Sequence, residues 1–177
     1  MEIYFLLSLT AIGAGLIVSL LSLLTETIMN LYSTFAADKA AEKEGIYIQY
    51  GTGTRIRVAR AGGSNEKFTK VLQNLTKPYK RSIQNDTVDP EIVEDIMMRA
   101  YCRAVIKSWE TNTNPDKSAA PIWSSGIESP EGDLLEPTEE NIVMTFKNLK
   151  DLWEDIKEQS NKFALFRQEI NEVDSKN

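Results

Sequence analysis

The residues that most often carry catalysis are scarce in this sequence. It contains no histidine and a single cysteine, Cys102, which largely excludes zinc sites and nucleophiles activated by histidine. Cys102 falls within an apolar helical pattern, which favours a small buried hydrophobic residue. Every Asp or Glu has an explanation as a helix cap or a solvent-facing charge, so no carboxylate pair is indicated for acid–base chemistry. The residues therefore predict a binding protein without metal or cofactor, and not an enzyme.

Two adjacent glycines, Gly62 and Gly63, join a predicted strand to a predicted helix in the stretch ARAGGSNEKF. Glycine loops in this position can bind phosphate, because backbone N–H groups and the helix dipole meet the anion there. The stretch matches neither G-x-G-x-x-G nor G-x-x-x-x-G-K-[ST]. The glycines also allow the backbone to turn, and Ser64 or Asn65 can cap the next helix. The sequence favours this structural corner over a phosphate site.

Positive charge is concentrated around the same corner. Residues 55–81 contain eight basic residues and one acid, Glu66, although the whole chain has a net charge of −6. Such a segment is typical of nucleic-acid binding, with Tyr79 available for stacking, but also of a solvated face that pairs with acidic groups of the same chain or of a partner. The acidic net charge favours the second interpretation and argues against nucleic acid. The basic candidates for partner binding are Arg55, Arg57, Arg60, Lys77, Lys80 and Arg81.

An uncharged apolar run occupies residues 3–25, between Glu2 and Glu26. A helix of that length can cross about 30 Å of hydrocarbon, so residues 3–24 are a candidate membrane segment. The flanks lack the basic residues of a signal peptide or a cytoplasmic anchor. A third interpretation is that the protein begins at Met29 and that residues 1–28 are an upstream extension. The predicted organisation is a hydrophobic helix over 1–28 and one globular domain over 29–177.

Helix and strand signals alternate in the first half of that domain. A helix is expected over 33–43, with Ser33 as its cap and Gly45 at its end. The alternating segments IYIQY and RIRVAR around GTGT, within 46–60, predict a β-hairpin. A helix over about 65–74 is expected to end before Pro78. The clearest helix pattern covers 89–107, where Asp89 is the cap, Pro90 follows, and Met97 rather than Met98 lies on the buried stripe.

The second half of the domain predicts a loop, a hairpin and helices. Residues 110–121 are rich in loop formers and indicate a flexible surface insertion. A short hairpin follows, with Pro130 at its turn and Trp123, Ile127, Leu134 and Leu135 expected to face the core. Beyond the cap Thr138, apolar residues recur at helical spacing over 142–167. This pattern fits either a coiled-coil seam or two packed helices with a break at 147–150.

These patterns together predict the fold class. It is α+β, a mainly helical domain with one or two small antiparallel hairpins, preceded by an isolated N-terminal hydrophobic helix. Charge divides along the chain, since residues 128–177 hold 13 acids and 6 bases, opposite in sign to 55–81. The sequence therefore predicts a protein that presents surfaces of opposed charge.

Four stretches resemble the tail assembly chaperone family of tailed bacteriophages. They are NLYSTFAADKAAEKEGIYIQYG, RIRVARAGGSNEKFTKVLQNLTKPYKRSIQ, AYCRAVIKSWE and LWEDIKEQSNKFALFRQEI, and the resemblance covers about residues 30–169. Its most recognisable pieces are the ARAGG corner with N-x-K-F, the KPYKR step, the tryptophan after the central helix and the QS-x-x-x-x-LFR ending. The apolar residues 1–28 depart from the family pattern.

The resemblance implies a small assembly factor of the host cytoplasm. Members of the family bind the tape-measure protein, keep its long hydrophobic helix soluble and bring tail-tube subunits to it. A homo-oligomer is compatible with this role. The alternatives are a membrane-anchored accessory protein, attached as a single-pass protein through residues 3–24, and a nucleic-acid-binding protein.

A chaperone of this kind needs an adaptable apolar groove with charged rims. The C-terminal part of the chain supplies aromatic and methionine side chains that could line such a groove. The competing interpretation, favoured for each one taken alone, is that they fill the protein's own core. These residues are Met144, Phe146, Trp153, Phe163 and Phe166.

Overall fold

Four antiparallel strands form the sheet against which the helices pack. The computed structural model describes residues 35–167. The predicted hairpin is confirmed as β1 (Ile46–Tyr50) and β2 (Thr54–Val58). Strands β3 (Ile106–Asn112) and β4 (Trp123–Ser125) extend it in the order β1-β2-β3-β4. The α+β class is therefore confirmed, with a larger sheet than the predicted hairpins.

The described elements belong to one compact unit, which covers residues 37–167 of the described range. The hydrophobic helix predicted over 1–28 lies outside the described residues, as do Ser33 and the choice of Met29 as a start. Within residues 35–167, no helix combines the length and apolar character needed to cross a membrane.

The first helix starts later than predicted but ends at the predicted Gly45, and the second helical segment continues past its predicted end. Helix α1 (Lys39–Glu44) begins after Asp38, whose carboxylate accepts hydrogen bonds from the N–H groups of Ala40 and Ala41. Helix α2 (Glu66–Thr76) does not end the helical path at Pro78, which lies inside the 3₁₀ turn Lys77–Tyr79 that leads into α3 (Lys80–Gln84). Proline is tolerated there because the first turn of a helix does not use its N–H.

The central helix is shorter than predicted. Helix α4 (Pro90–Ala104) has the expected cap, since the carboxylate of Asp89 accepts a hydrogen bond from Glu91 N at 2.9 Å. It ends before residue 107 because the chain enters β3, which pairs with β2 through the non-local partners Ile56 and Trp109. Met97 packs against the core as predicted, although it is only partly buried, and Met98, left out of the predicted stripe, is the more deeply buried of the two at 1% exposure.

Residues 110–112, predicted as part of a loop, form the end of β3. The chain between β3 and β4 is hydrogen-bonded to the Asn112 side chain, whose amide oxygen accepts from Asn114 N and Ile122 N. Lys117 Nζ donates to the Asn112 carbonyl at 2.6 Å. The insertion is therefore the connection of a β3–β4 hairpin.

The C-terminal pattern forms a small hairpin and two helices. Strands β5 (Ile127–Glu128) and β6 (Leu134–Leu135) pair antiparallel. Helix α5 (Glu139–Asn148) starts at the predicted cap Thr138, and helix α6 (Lys150–Asn161) follows after a break at Leu149. The sequence left open a coiled-coil seam or two packed helices, and the structure contains two helices. A 3₁₀ turn, Phe163–Phe166, follows α6.

Aromatic side chains connect the sheet and the helices within the core. The Phe146 ring lies 5.0 Å from that of Trp153 and 5.9 Å from that of Trp109, measured between centroids. The Tyr101 ring meets those of Phe68 and Trp153 edge to face, an arrangement that aromatic pairs favour. This core covers one face of the sheet, which leaves Tyr47 and Gln49 exposed on the other.

The glycine corner binds a carboxylate of its own chain. The side chain of Glu42 on α1 is 1% exposed and pairs with Arg60, and it accepts a hydrogen bond from Ser64 N at 2.7 Å. Gly63 has φ +55°, and a Cβ there would lie 2.8 Å from a Glu42 oxygen. The loop therefore has the anion-binding geometry considered from the sequence, and Glu42 occupies it.

The cap predicted for the next helix is corrected in the same loop. Asn65 precedes α2 but makes no capping hydrogen bond with its side chain. Its amide donates instead to the carbonyl oxygens of Arg60 at 2.8 Å and Ala104 at 3.1 Å. Asn65 is 3% exposed, so this buried amide fastens the corner to the end of α4.

Candidate partner-binding groove

An apolar groove of about 460 Å³ lies between the β5–β6 hairpin and the C-terminal half of α5. It is open to solvent on one side, and its floor includes Ile127, which is 3% exposed. Grooves with apolar floors are the sites where proteins bind the apolar face of a partner helix. The lining residues are Thr54, Ile127, Glu128, Ser129, Pro130, Leu135, Met144, Thr145, Asn148 and Leu149.

Large apolar side chains are exposed in and beside this groove. Met144 is 46% exposed, Leu149 is 54% exposed and Leu134 is 45% exposed. Met144 faces outward because α5 directs Ile142 and Phe146 into the core from its opposite side. Full burial of such a side chain contributes about 1.5–3 kcal/mol, and these side chains, already half-buried, would contribute about half of that each if a partner covered them.

The hairpin has the geometry needed to present Leu134. Successive residues of a strand point to opposite faces, so Leu135 turns towards the core while Leu134 points outward. This corrects the prediction that both leucines face the core. The same prediction is wrong for Trp123, which lies beside Arg55 on the face of the sheet that points away from the core. Gly126 permits the arrangement, because a Cβ at that position would clash with the Leu134 side chain.

The rim of the groove is acidic. Glu128, Glu131, Asp133 and Glu136 are exposed on the hairpin and its flank, and none forms an ion pair with another residue of the described part of the chain. No lysine or arginine occurs between residues 118 and 146. An apolar floor with an unneutralised acidic rim is complementary to an amphipathic helix that carries basic residues.

The basic residues predicted to bind a partner lie in three separate places. Arg55 pairs with Glu110 on the sheet, and Arg57 Nε donates to the Gly45 carbonyl at 3.2 Å. Arg60 pairs with the buried Glu42. The structure thus supports internal ion pairing for Arg55 and Arg60. The remaining three, Lys77, Lys80 and Arg81, are exposed around the turn between α2 and α3.

The aromatic candidates lie mostly in the core. Phe146, Trp153 and Phe166 are each at most 1% exposed, so the core-filling interpretation describes these three. Phe163 is half-buried, with the Arg60 guanidinium 5.5 Å from its ring centroid. Met144 is the member of the predicted set that lines the groove.

Sequence reasoning missed Leu149 as a groove residue, and it missed the outward orientation of Leu134 on the neighbouring hairpin. The signal for Leu134 is its position beside Leu135 in a strand, where alternation sends one of two neighbours outward. Leu149 lies at the break between α5 and α6, and its exposure depends on where that break falls.

Chemical reactivity is low at the cysteine. Burial, together with the nearby Glu139 carboxylate, raises the pKa of the Cys102 thiol to about 12. The thiolate is the reactive form, so Cys102 is unsuited to act as a nucleophile near neutral pH. Among residues 35–167, no three His, Cys, Asp or Glu side chains are grouped to hold a metal ion.

Cys102 is expected to resist thiol reagents in the folded protein. At pH 8 we expect its reaction with Ellman's reagent to be at least about tenfold slower than in the urea-unfolded chain. The thiol pKa is higher in the folded protein, and each unit of increase lowers the fraction of thiolate about tenfold. A native rate equal to the unfolded rate would contradict the packed position of Cys102.

Comparison of the chain with models of known protein families, with curated proteins and with solved structures finds no match.

Proposed function

We propose that this protein is a tail assembly chaperone of a tailed bacteriophage, which binds the tape-measure protein in the host cytoplasm and helps to recruit tail-tube subunits. The observation that carries the proposal is the apolar groove with Met144 and Leu149 exposed at its edge. The resemblance of residues 30–169 to that family supports the same role.

The groove provides a physical means of keeping a hydrophobic helix in solution. A partner helix with apolar residues on one face can place them against Met144 and Leu149, while its polar face remains in water. Methionine suits this task because its unbranched side chain adapts to different apolar surfaces. The acidic rim selects helices with basic residues beside the apolar stripe, and it opposes acidic ones.

The proposal is tested by co-expressing the full chain with the phage's tape-measure protein. We expect the wild type to keep the tape-measure protein in the soluble fraction and to co-purify with it. Met144→Asp and Leu149→Asp each place a charge in the groove, and we expect each to reduce recovery about tenfold or more, since about 1.4 kcal/mol corresponds to a factor of ten.

The matched control is Leu165→Asp. Leu165 is an exposed leucine of the C-terminal 3₁₀ turn, 37% exposed and outside the groove, so its substitution should leave recovery unchanged. Equal recovery with the wild type and both groove variants, or no recovery with the wild type, would contradict the proposal.

A further inference from the structure

The solvent face of the sheet carries an ordered cluster of aromatic rings and arginines. Register places Tyr47 opposite Arg57 and Gln49 opposite Arg55, so all four side chains lie on the face that points away from the core. Trp123 lies on the same face, because Ser125, two residues along β4, pairs with Glu110 beside Arg55.

Arg55 is the centre of this cluster. Its guanidinium carbon lies 4.4 Å from the ring centroid of Tyr47 and 4.6 Å from that of Trp123. Glu110 fixes the arrangement, since it pairs with Arg55 and accepts a hydrogen bond from the Tyr47 hydroxyl at 2.9 Å. Tyr47 nevertheless remains 47% exposed. The Arg57 guanidinium also lies 5.8 Å from the Tyr47 ring centroid, so the rings are held in place while part of the Tyr47 surface stays accessible to a ligand.

A β-bulge continues this face into a basic surface. Arg57 pairs with Ser108 and Val58 pairs with Ile106, which leaves Lys107 as the extra, exposed residue. Bulges commonly re-aim a side chain in this way. Beyond it lies a concave surface of about 550 Å³, whose lining includes Lys43, Lys67, Lys70 and Lys107.

The positive charges of this surface are only partly neutralised. Lys70 pairs with Glu66, whereas Lys43, Lys67 and Lys107 form no ion pair with another residue of the described ranges. The Lys107 side chain reaches solvent, but partial desolvation lowers the pKa of its ammonium group. The positive charges of Lys67 and Arg57 lower this pKa further, whereas the negative charge of Glu44 raises it. Lys107 therefore lies close enough to Lys67 and Arg57 for the three charges to interact.

We propose that this track, from Tyr47 and Trp123 over Arg57 to Lys107 and Lys67, binds single-stranded nucleic acid without sequence specificity. Aromatic faces that stack on bases, beside cations that follow the phosphates, are the two components of such sites. An acidic polypeptide would use the cations but has no bases to stack on Tyr47. The acidic net charge of the sequence argues against nucleic acid, and within residues 55–81 Tyr79 is the candidate for stacking. The fold brings Tyr47 and Trp123 to Arg55, and Lys107 close to Arg57, from outside that segment.

The test uses the full chain and a fluorescein-labelled oligonucleotide, dT20, with fluorescence anisotropy measured from 25 to 200 mM NaCl. We expect Tyr47→Ala to weaken binding about tenfold, because stacking contributes about 1–3 kcal/mol per base, while Tyr47→Phe keeps the ring and retains affinity. The double variant Lys67→Gln/Lys107→Gln should reduce the slope of log K against log[salt] by about 1.4, since each phosphate contact contributes about 0.7 for single strands.

The charge control is Lys150→Gln/Lys162→Gln, which makes the same change of net charge at the two ends of α6 and should leave the slope unchanged. Thermal melts of all variants identify any that fail to fold.

The proposal is overturned if the wild type shows no binding at 25 mM NaCl. It is also overturned if Tyr47→Ala binds like Tyr47→Phe, or if both lysine pairs weaken binding equally, which would indicate a general charge effect. Binding of poly-glutamate equal to that of dT20 would assign the track to an acidic polypeptide instead.

Discussion

Replacing Glu42 with alanine is expected to lower the free energy of unfolding by about 3–5 kcal/mol, the usual consequence of removing one partner of a buried ion pair. The Glu42 side chain is 1% exposed and that of Arg60 is 23% exposed. Without the carboxylate, Arg60 keeps a partly shielded charge with no ion-pair partner among the described residues, and the N–H of Ser64 loses its acceptor. Urea titration followed by circular dichroism measures the loss.

Glu44→Ala is the matched control, because Glu44 belongs to the same helix but is exposed. Burial raises the pKa of Glu42, but the hydrogen bond from Ser64 N–H and the Arg60 side chain lower it more, so it stays below the ordinary 4.5. The stabilisation is therefore present above about pH 4.5 and is lost as the pH falls through the folded value. Glu42→Ala should weaken the acid dependence. A loss below 1 kcal/mol at pH 7, equal to that of Glu44→Ala, would show that the corner does not need its carboxylate.

Replacing Trp153 with alanine is expected to cost about 3–5 kcal/mol of unfolding free energy, because it opens a cavity in the centre of the core. Trp153 is 1% exposed and contacts Tyr101 and Phe146, with ring centroids at 4.9 and 5.0 Å. Its indole N–H has no hydrogen-bond acceptor within the described part of the chain. A buried donor left unsatisfied is itself costly.

Trp153→Phe separates these two contributions. It keeps an aromatic ring and removes the unsatisfied donor, so we expect a loss well below that of Trp153→Ala, about 1–2 kcal/mol. Both substitutions remove the indole N–H, but only Trp153→Ala removes the whole ring. Equal losses of unfolding free energy would therefore contradict the expected contribution of ring packing and would point to an acceptor for the indole N–H. Guanidinium chloride titration with fluorescence from the other tryptophans measures both values.

Local patterns in the sequence predicted the local parts of the fold. The β1–β2 hairpin depends on alternation in two adjacent segments around GTGT, and the caps Asp89 and Thr138 act within three residues of their own positions. Strand β3 was missed because the apolar spacing of α4 continues to residue 105, whereas the partners that make residues 106–112 a strand come from β2, about 50 residues earlier.

The candidate groove could be predicted only in part, for the same reason. Helical spacing identifies Met144 and Phe146 as apolar alike, but α5 buries Phe146 completely and leaves Met144 46% exposed. Glu42 is the opposite case, a charged residue that is buried. Nothing in the local sequence distinguishes it from its exposed neighbours Lys43 and Glu44. It becomes buried because the Gly62–Ser64 loop, about 20 residues later, folds over it.

Methyl NMR of the full chain with ¹³C-methyl methionine tests most directly whether the groove binds an apolar helix. Met144 reports on the groove, while Met97 and Met98 on α4 serve as internal references in the same spectrum. On addition of a tape-measure fragment with an amphipathic helix, the account predicts that the Met144 resonance shifts or broadens while those of Met97 and Met98 stay in place. An unchanged Met144 resonance in a sample where the fragment is bound would contradict it.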